Sequence, residues 1–384
     1  MTRVDPVTVG QLTQDPYPVL ARLRERSPVC WVPALQGWLV TGYAAVVQVL
    51  DDPITFTVDD PRFTTAAVVG PSMLSLDGDE HRRHRRPFAA GFRPALVETE
   101  HAAVTRELAT ALVAGFRGRG TAEVRSELAG PLAVGVVTRV LGLRGVDPER
   151  VLGWYAAIVG SVSALSAGDP ATAAGVEAAR TLSKEVLATV TDPHVDGMLA
   201  SAVRPPFELA GDEVAANAAV LMFGGIETVE GMISNAVLHL FSAPKPFEVA
   251  ASPGALENAV EESLRLEPAA ARVDRYATRD AVLAGVTVPA GDLVIASIGA
   301  ANRDPAVFAD PDRYDPVRPN AGQHLAFARG PHACVAAGLA RCEAAIALEV
   351  LLDLPGVRLD HERSAPPRGL VFRKPDRVVL RWEP

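Results

Sequence analysis

Cysteine is scarce in this chain. There are three among 384 residues, Cys30, Cys334 and Cys342, an odd set with no C-x-x-C pair. That excludes a disulfide framework and a cysteine-built zinc site, and it fits a reducing compartment. Aromatics are also few, at 5%, so the 48% of hydrophobic residues must pack a core mainly from aliphatic side chains. No apolar run reaches membrane-spanning length. The nearest, 214–226, is interrupted by Glu227, well short of the roughly 20 residues a span needs, and reads as a buried helix. The opening MTRVDPVTVGQLTQDPYPVL carries no apolar segment of signal-peptide type, so the expected location is the cytoplasm, with no membrane partner. Positive charge is in deficit, at a net −9, which argues against nucleic acid as a partner. Neither a repeat nor a Gly/Ser linker divides the chain, so residues 1–384 read as a single domain.

Helical periodicity dominates. PYPVLARLRERSPV and YAAVVQVLDD have helical spacing, with the strand-like GWLVTG between them, and from about 79 to 242 the pattern is helical throughout. The longest element runs from Asp212, a plausible N-cap, to the SAPKP break at 242–246. A further helix is expected around 255–266, then strands in RVDRYAT, DLVIAS and RVVLRW, and a helix after Cys334 to about Leu352. The fold class is therefore mainly α with a smaller β region.

What is present is concentrated in four short constellations. Phe327, Gly330, His332 and Cys334 lead into the helix that follows. A cysteine at a helix N-terminus has its thiolate stabilised by free N–H groups and the helix dipole, which suits a metal ligand or a nucleophile. His332, two residues away on a loop, is a poor base for a nucleophile, and a small buried residue is the bland alternative. In FGGIETVEGMI, Gly224, Gly225, Thr228 and Gly231 lie at helical spacing, leaving a face for close packing or for a ligand. Thr228 can bond the carbonyl of Gly224 and bend the helix. Glu262 and Arg265 stand at i, i+3, a pairing common on solvated surfaces. His81 and Arg85, inside the basic run HRRHRR, stand at i, i+4 and can both donate to one anion.

Together these segments resemble the cytochrome P450 family. Phe327, Gly330, His332 and Cys334, with Leu339, Ala340 and Arg341 beyond, match its haem-loop pattern F-x-x-G-x-H-x-C leading to L-A-R, with Ala328 and Ala336 at positions commonly glycine. The resemblance implies one haem b with Cys334 as its axial metal ligand. His81, Arg85 and Arg275 would hold the haem propionates. Glu227 and Thr228 resemble the family's acid–threonine pair, implying a proton relay to dioxygen as it is reduced. Glu262 and Arg265 resemble its E-x-x-R pair, with Arg313 as the third member of the structural network. Leu221, Gly224, Gly225, Ala270, Ala271 and Arg272 would border the substrate. Arg272 would need an anion there, whether Asp274, a propionate or a substrate carboxylate.

The reaction implied is insertion of one oxygen atom from O2 into a small organic substrate, in bacterial secondary metabolism. Electrons would come from NAD(P)H through a separate ferredoxin and ferredoxin reductase. The surplus arginines Arg82, Arg83 and Arg86 offer one place for an acidic partner to dock. The alternatives are an atypical P450 oxidation, such as oxidative decarboxylation or ring closure of a carboxylate-bearing intermediate, and a non-catalytic haem-binding protein of the same fold.

Overall fold

The computed structural model describes all residues except 1–6, 144–145, 167–168, 193, 195–196, 245 and 251–253. Among the described residues the fold is mainly helical, with one five-stranded sheet and three smaller ones. The helices Tyr17–Arg26, Tyr43–Asp51 and Ala255–Leu266 fall where helical spacing placed them. The helix after Cys334 runs Ala337–Leu352, two residues later than the pattern suggested. Among the described residues, no helix is long and apolar enough to cross a membrane.

The largest sheet is assembled from both ends of the chain. Val29–Val32 pairs antiparallel with Gly37–Val40, which pairs parallel with Leu293–Ala296. That strand pairs antiparallel with Val273–Ala277, and Phe56–Thr57 closes the edge. Side chains alternate along a strand, so the 273–277 strand has two different faces. Val273 and Ala277 pack in a cluster with Leu325 and Ala328 of the cysteine loop, which puts Arg275 on that side. Asp274 lies on the opposite face, in register with Ile295.

The long helix is one continuous rod with an irregular middle. Gly211–Phe223 is followed by a wide π-type turn over Gly224–Thr228, and α-helix resumes over Val229–Ser242. It spans roughly 48 Å at about 1.5 Å per residue. Its end at Ser242 fits the expected break, although residue 245 lies outside the described residues. Its start differs from expectation. Ala210 is the cap and Asp212 sits inside the first turn, because the Glu213 carboxylate accepts the Ala210 N–H and supplies the cap from within the helix. Nearly every residue of the first half is buried, as expected of a helix apolar all round.

Candidate haem-thiolate site

The cysteine loop is shaped by backbone geometry and gripped by ion pairs. The Cys334 N–H donates to the Phe327 carbonyl at 2.8 Å, closing the loop. Gly330 has φ +66°, and a side chain there would run into the Leu50 carbonyl. Ala328 also has a left-handed backbone, at φ +55°, which explains why glycine suits that position and costs an alanine about 1–2 kcal/mol. Ala336, at φ −104°, carries no such strain. The Arg341 guanidinium lies over the Phe327 ring at 4.5 Å and forks onto Glu261 at 2.6 and 3.0 Å. His324 Nε2 lies 3.2 Å from the same carboxylate.

The Cys334 side chain is accessible, yet its surroundings desolvate it. Burial pushes the thiol up, against the Ala336 N–H bonded to sulfur and the Arg85 and Arg341 charges, which favour the thiolate. A soft sulfur ligand backed by an N–H donor and two cations is suited to holding a cationic metal centre.

The anion-binding residues converge on this loop. Arg85 donates to the Ala333 carbonyl at 2.6 Å. The His81 ring lies 4.3 Å from that of His332, and its buried Nε2 has no partner among the described residues. Burial, reinforced by the charges of His332 and Arg85, lowers His81 to about 4, so it is a neutral N–H donor at physiological pH. Arg275 is buried and spends one nitrogen on the Asp274 carbonyl at 2.8 Å. An orphaned histidine and two arginines beside an accessible thiol form the donor set that an iron porphyrin with two carboxylates requires, so the residues fit a haem. Sequence reasoning missed Asp77. Its Oδ1 lies 2.7 Å from His332 Nε2, and its Oδ2 accepts from Thr57 Oγ1 and the Val58 N–H. Burial alone would raise its carboxyl, but the His332, Thr57 and Val58 bonds dominate and hold it at about 2.

Behind the loop, Glu262 and Arg265 are fully buried rather than surface partners. Arg265 grips both carboxylate oxygens at 2.7 and 2.8 Å. The third member is Arg318, whose Nε lies 3.0 Å from each Glu262 oxygen. The expectation for Arg313 is therefore corrected. Its side chain is exposed and it supplies only its carbonyl, to Arg265 and Arg318. Two arginines five residues apart on one irregular loop cannot be told apart by spacing.

Across the cleft, Thr228 Oγ1 donates to the Gly224 carbonyl at 2.5 Å, as its spacing suggested. The small residues beside it do not share one face, because successive helical residues turn by about 100°. A side chain at Gly224 would meet nothing within 4 Å, whereas one at Gly225 would strike Val137 at 2.8 Å. Leu221, one turn before Gly225, is buried in the same cluster as Val134 and Val137. Gly224 thus faces open space, while Gly225 and Leu221 serve core packing, contrary to expectation.

Ala270 bridges to Phe372, whose ring meets Phe223 edge-on at 5.2 Å. These two aromatics were not legible in the sequence. Ala271 and Arg272 turn to a small cavity of about 30 Å³ on the sheet face away from Arg275. Arg272 there faces Asp274 at 3.6 Å, the first of the three anions considered for it, while its buried Nε and Nη1 have no hydrogen-bond partner among the described residues. Two of the three surplus arginines are paired with nearby carboxylates. Arg82 pairs with Asp79, and Arg83 with Glu80 and Glu213. Arg86 lies over Phe207.

Comparison with known proteins agrees with this geometry. The family model for cytochrome P450 matches residues 255–375. The mycinamicin IV hydroxylase/epoxidase of Micromonospora griseorubida is 34% identical, with 94% of each chain covered. The cytochrome P450 monooxygenase PikC of Streptomyces venezuelae is also 34% identical, over 90% of this chain and 85% of that protein. The crystal structure of CalO2 superposes with a TM-score of 0.89 at 28% identity, covering all of both chains. The chain belongs to the cytochrome P450 family. It is a monooxygenase that uses haem iron and O2 and receives electrons from redox partners.

Proposed function

We propose that this P450 inserts one oxygen atom from O2 into a small, largely apolar secondary metabolite in the bacterial cytoplasm, residues 1–384 acting as one unit. NAD(P)H supplies electrons through a ferredoxin and its reductase. The relative named for hydroxylating and epoxidising mycinamicin IV and the apolar character of Phe223, Phe372 and Ala270 support that substrate class. The haem, when bound, supplies the O2-activating chemistry. Cys334 would bind its iron, in a loop shaped by Phe327 and Gly330. His81, Arg85, Arg275 and His332 would hold and orient its carboxylates.

The observation that carries the monooxygenase reading is the opened turn at Gly224–Thr228. Thr228 is bonded back to Gly224, so a hydroxyl stands where the helix presents least bulk, with Glu227 preceding it in the same turn. A buried reaction needs protons from positioned groups, and Glu227 and Thr228 hold and pass them. The test is to screen small molecules for a low-to-high-spin shift of the Soret band and weigh the product of each hit. A gain of one oxygen atom, sharply reduced relative to NADPH consumed in Thr228→Ala, is expected. Loss of CO2 or of two hydrogens would replace this reading with decarboxylation or ring closure. No substrate-dependent NADPH consumption by any binder would point to a non-catalytic haem protein.

A further inference from the structure

Glu227 does not stand free beside Thr228. Its Oε1 lies 2.8 Å from Lys374 Nζ, and its Oε2 accepts from the Tyr155 hydroxyl. The same ammonium lies 3.4 Å from Glu230, three residues on, and Glu230 is held in turn by Arg125. These side chains come from separate elements: Tyr155 from the helix Pro148–Ser166, Lys374 from the hairpin strand Lys374–Pro375, and Arg125 from the turn Arg125–Ala129. The acids and Lys374 are 12–14% exposed and Arg125 is 31% exposed, so the cluster leads outward from the cleft. Its charges balance, with two carboxylates against one lysine and one arginine.

Both Glu227 oxygens are thus committed away from Thr228, and the lysine that holds one of them has a second carboxylate within reach. We propose that Lys374 and Tyr155 are the positioning residues of Glu227, and that Glu227 carries a proton toward Thr228 only when Lys374 shifts from it to Glu230. This rests on the reading of Glu227 as the proton relay. The step involves only protons. A hydronium proton from solvent, relayed through water on the outer side of the cluster, protonates the released Glu227 carboxylate. Glu227 gives it to the Thr228 hydroxyl as that hydroxyl passes its own proton on to the reaction site, and the ammonium then returns to the regenerated carboxylate. Phe372 is two residues from Lys374 and packs on Phe223, so whatever presses on that aromatic pair acts on the lysine through the hairpin.

Removing the lysine leaves two neighbouring carboxylates with one arginine between them. Like charges at that range favour uptake of a proton by one of them. Glu230 remains bonded to Arg125, so the proton goes to Glu227.

The test uses the full-length, haem-loaded protein with a surrogate ferredoxin pair and no added substrate. Infrared difference spectra against wild type cancel carboxyl signals common to both proteins, including that of the buried Glu343, whose carboxyl burial raises. Lys374→Met should add a protonated-carboxyl band at neutral pH that disappears in Lys374→Met/Glu227→Gln. Lys374→Arg should not add it, and Tyr155→Phe should add a smaller one. In NADPH oxidation, Lys374→Met should move the pH profile up by about one unit or more. Glu230→Gln, which leaves the lysine nowhere else to go, should slow the reaction severalfold and enlarge its solvent isotope effect. If Lys374→Met shows no new band, or if it and Glu230→Gln shift the kinetics in the same direction or not at all, the proposal is wrong. Should Glu227→Gln itself leave oxidation and its isotope effect unchanged, the relay reading falls. With Glu227→Gln effective and the Lys374 and Glu230 variants silent, only this proposal falls.

Discussion

Two charged clusters flank the cleft, and they are built on opposite terms. Glu262, Arg265 and Arg318 sit almost wholly out of water, each carboxylate oxygen is gripped by both arginines, and the remaining guanidinium nitrogens reach backbone carbonyls. Glu227, Glu230, Lys374 and Arg125 retain partial exposure and share one ammonium between two acids. A buried ion pair is tolerable only when every group is satisfied, and then it has nowhere else to go. The first cluster is therefore a fixed brace behind the cysteine loop, and the second is able to rearrange.

The sharpest way to break that contrast is to remove the acid from each. Glu262→Gln strands two buried arginines and should cost about 3–5 kcal/mol in urea unfolding. Glu227→Gln leaves Lys374 on Glu230 and should cost no more than about 1–2 kcal/mol. Equal losses would erase the distinction. Within the brace, Arg318→Leu should destabilise by about 2–3 kcal/mol, while Arg313→Leu should stay within about 0.5 kcal/mol, as surface changes do.

A smaller effect is set by pH. His239, with Nδ1 2.9 Å from Ser263 Oγ, packs behind the same brace. Burial, then the charges of Arg303 and Arg265, lower it to about 3. The unfolded chain binds this proton near pH 6.5 and the folded chain only near 3. The stability is therefore complete above about 6.5 and is lost as pH falls toward 3. In His239→Gln the acid limb of a stability–pH curve should flatten across that window. An unchanged limb would show that His239 is protonated in the folded protein.

The cysteine loop, the E-x-x-R pair, His81 with Arg85, and Glu227 with Thr228 were legible because each lies within a few residues of sequence and its chemistry follows from spacing. Their partners were not. Tyr155 reaches Glu227 across 72 residues and Asp77 reaches His332 across 255, separations at which no periodicity survives. The choice of Arg318 over Arg313 depends on the path of an irregular loop, and the assignment of Gly224 to open space and Gly225 to the core depends on helix rotation. The long helix was found by its apolar run, while its cap was misplaced because Glu213 does from within the helix what Asp212 was expected to do at its end.

The smallest expected effect lies in the loop itself. Ala328→Gly relieves a left-handed alanine, worth about 1–2 kcal/mol, but adds glycine's backbone entropy of about 0.5–1 kcal/mol. A net stabilisation of about 0–1.5 kcal/mol should appear as a slight rise in Tm, and a clear fall would mean that the methyl group is packed rather than strained.

The central claim is that Cys334, alone of the three cysteines, is the thiolate ligand of a haem. The reduced protein under carbon monoxide tests it most directly. Wild type and Cys342→Ala should show the long-wavelength Soret band of thiolate-ligated haem, and Cys334→Ala should lose it. Persistence of that band in Cys334→Ala with haem still bound would contradict the account.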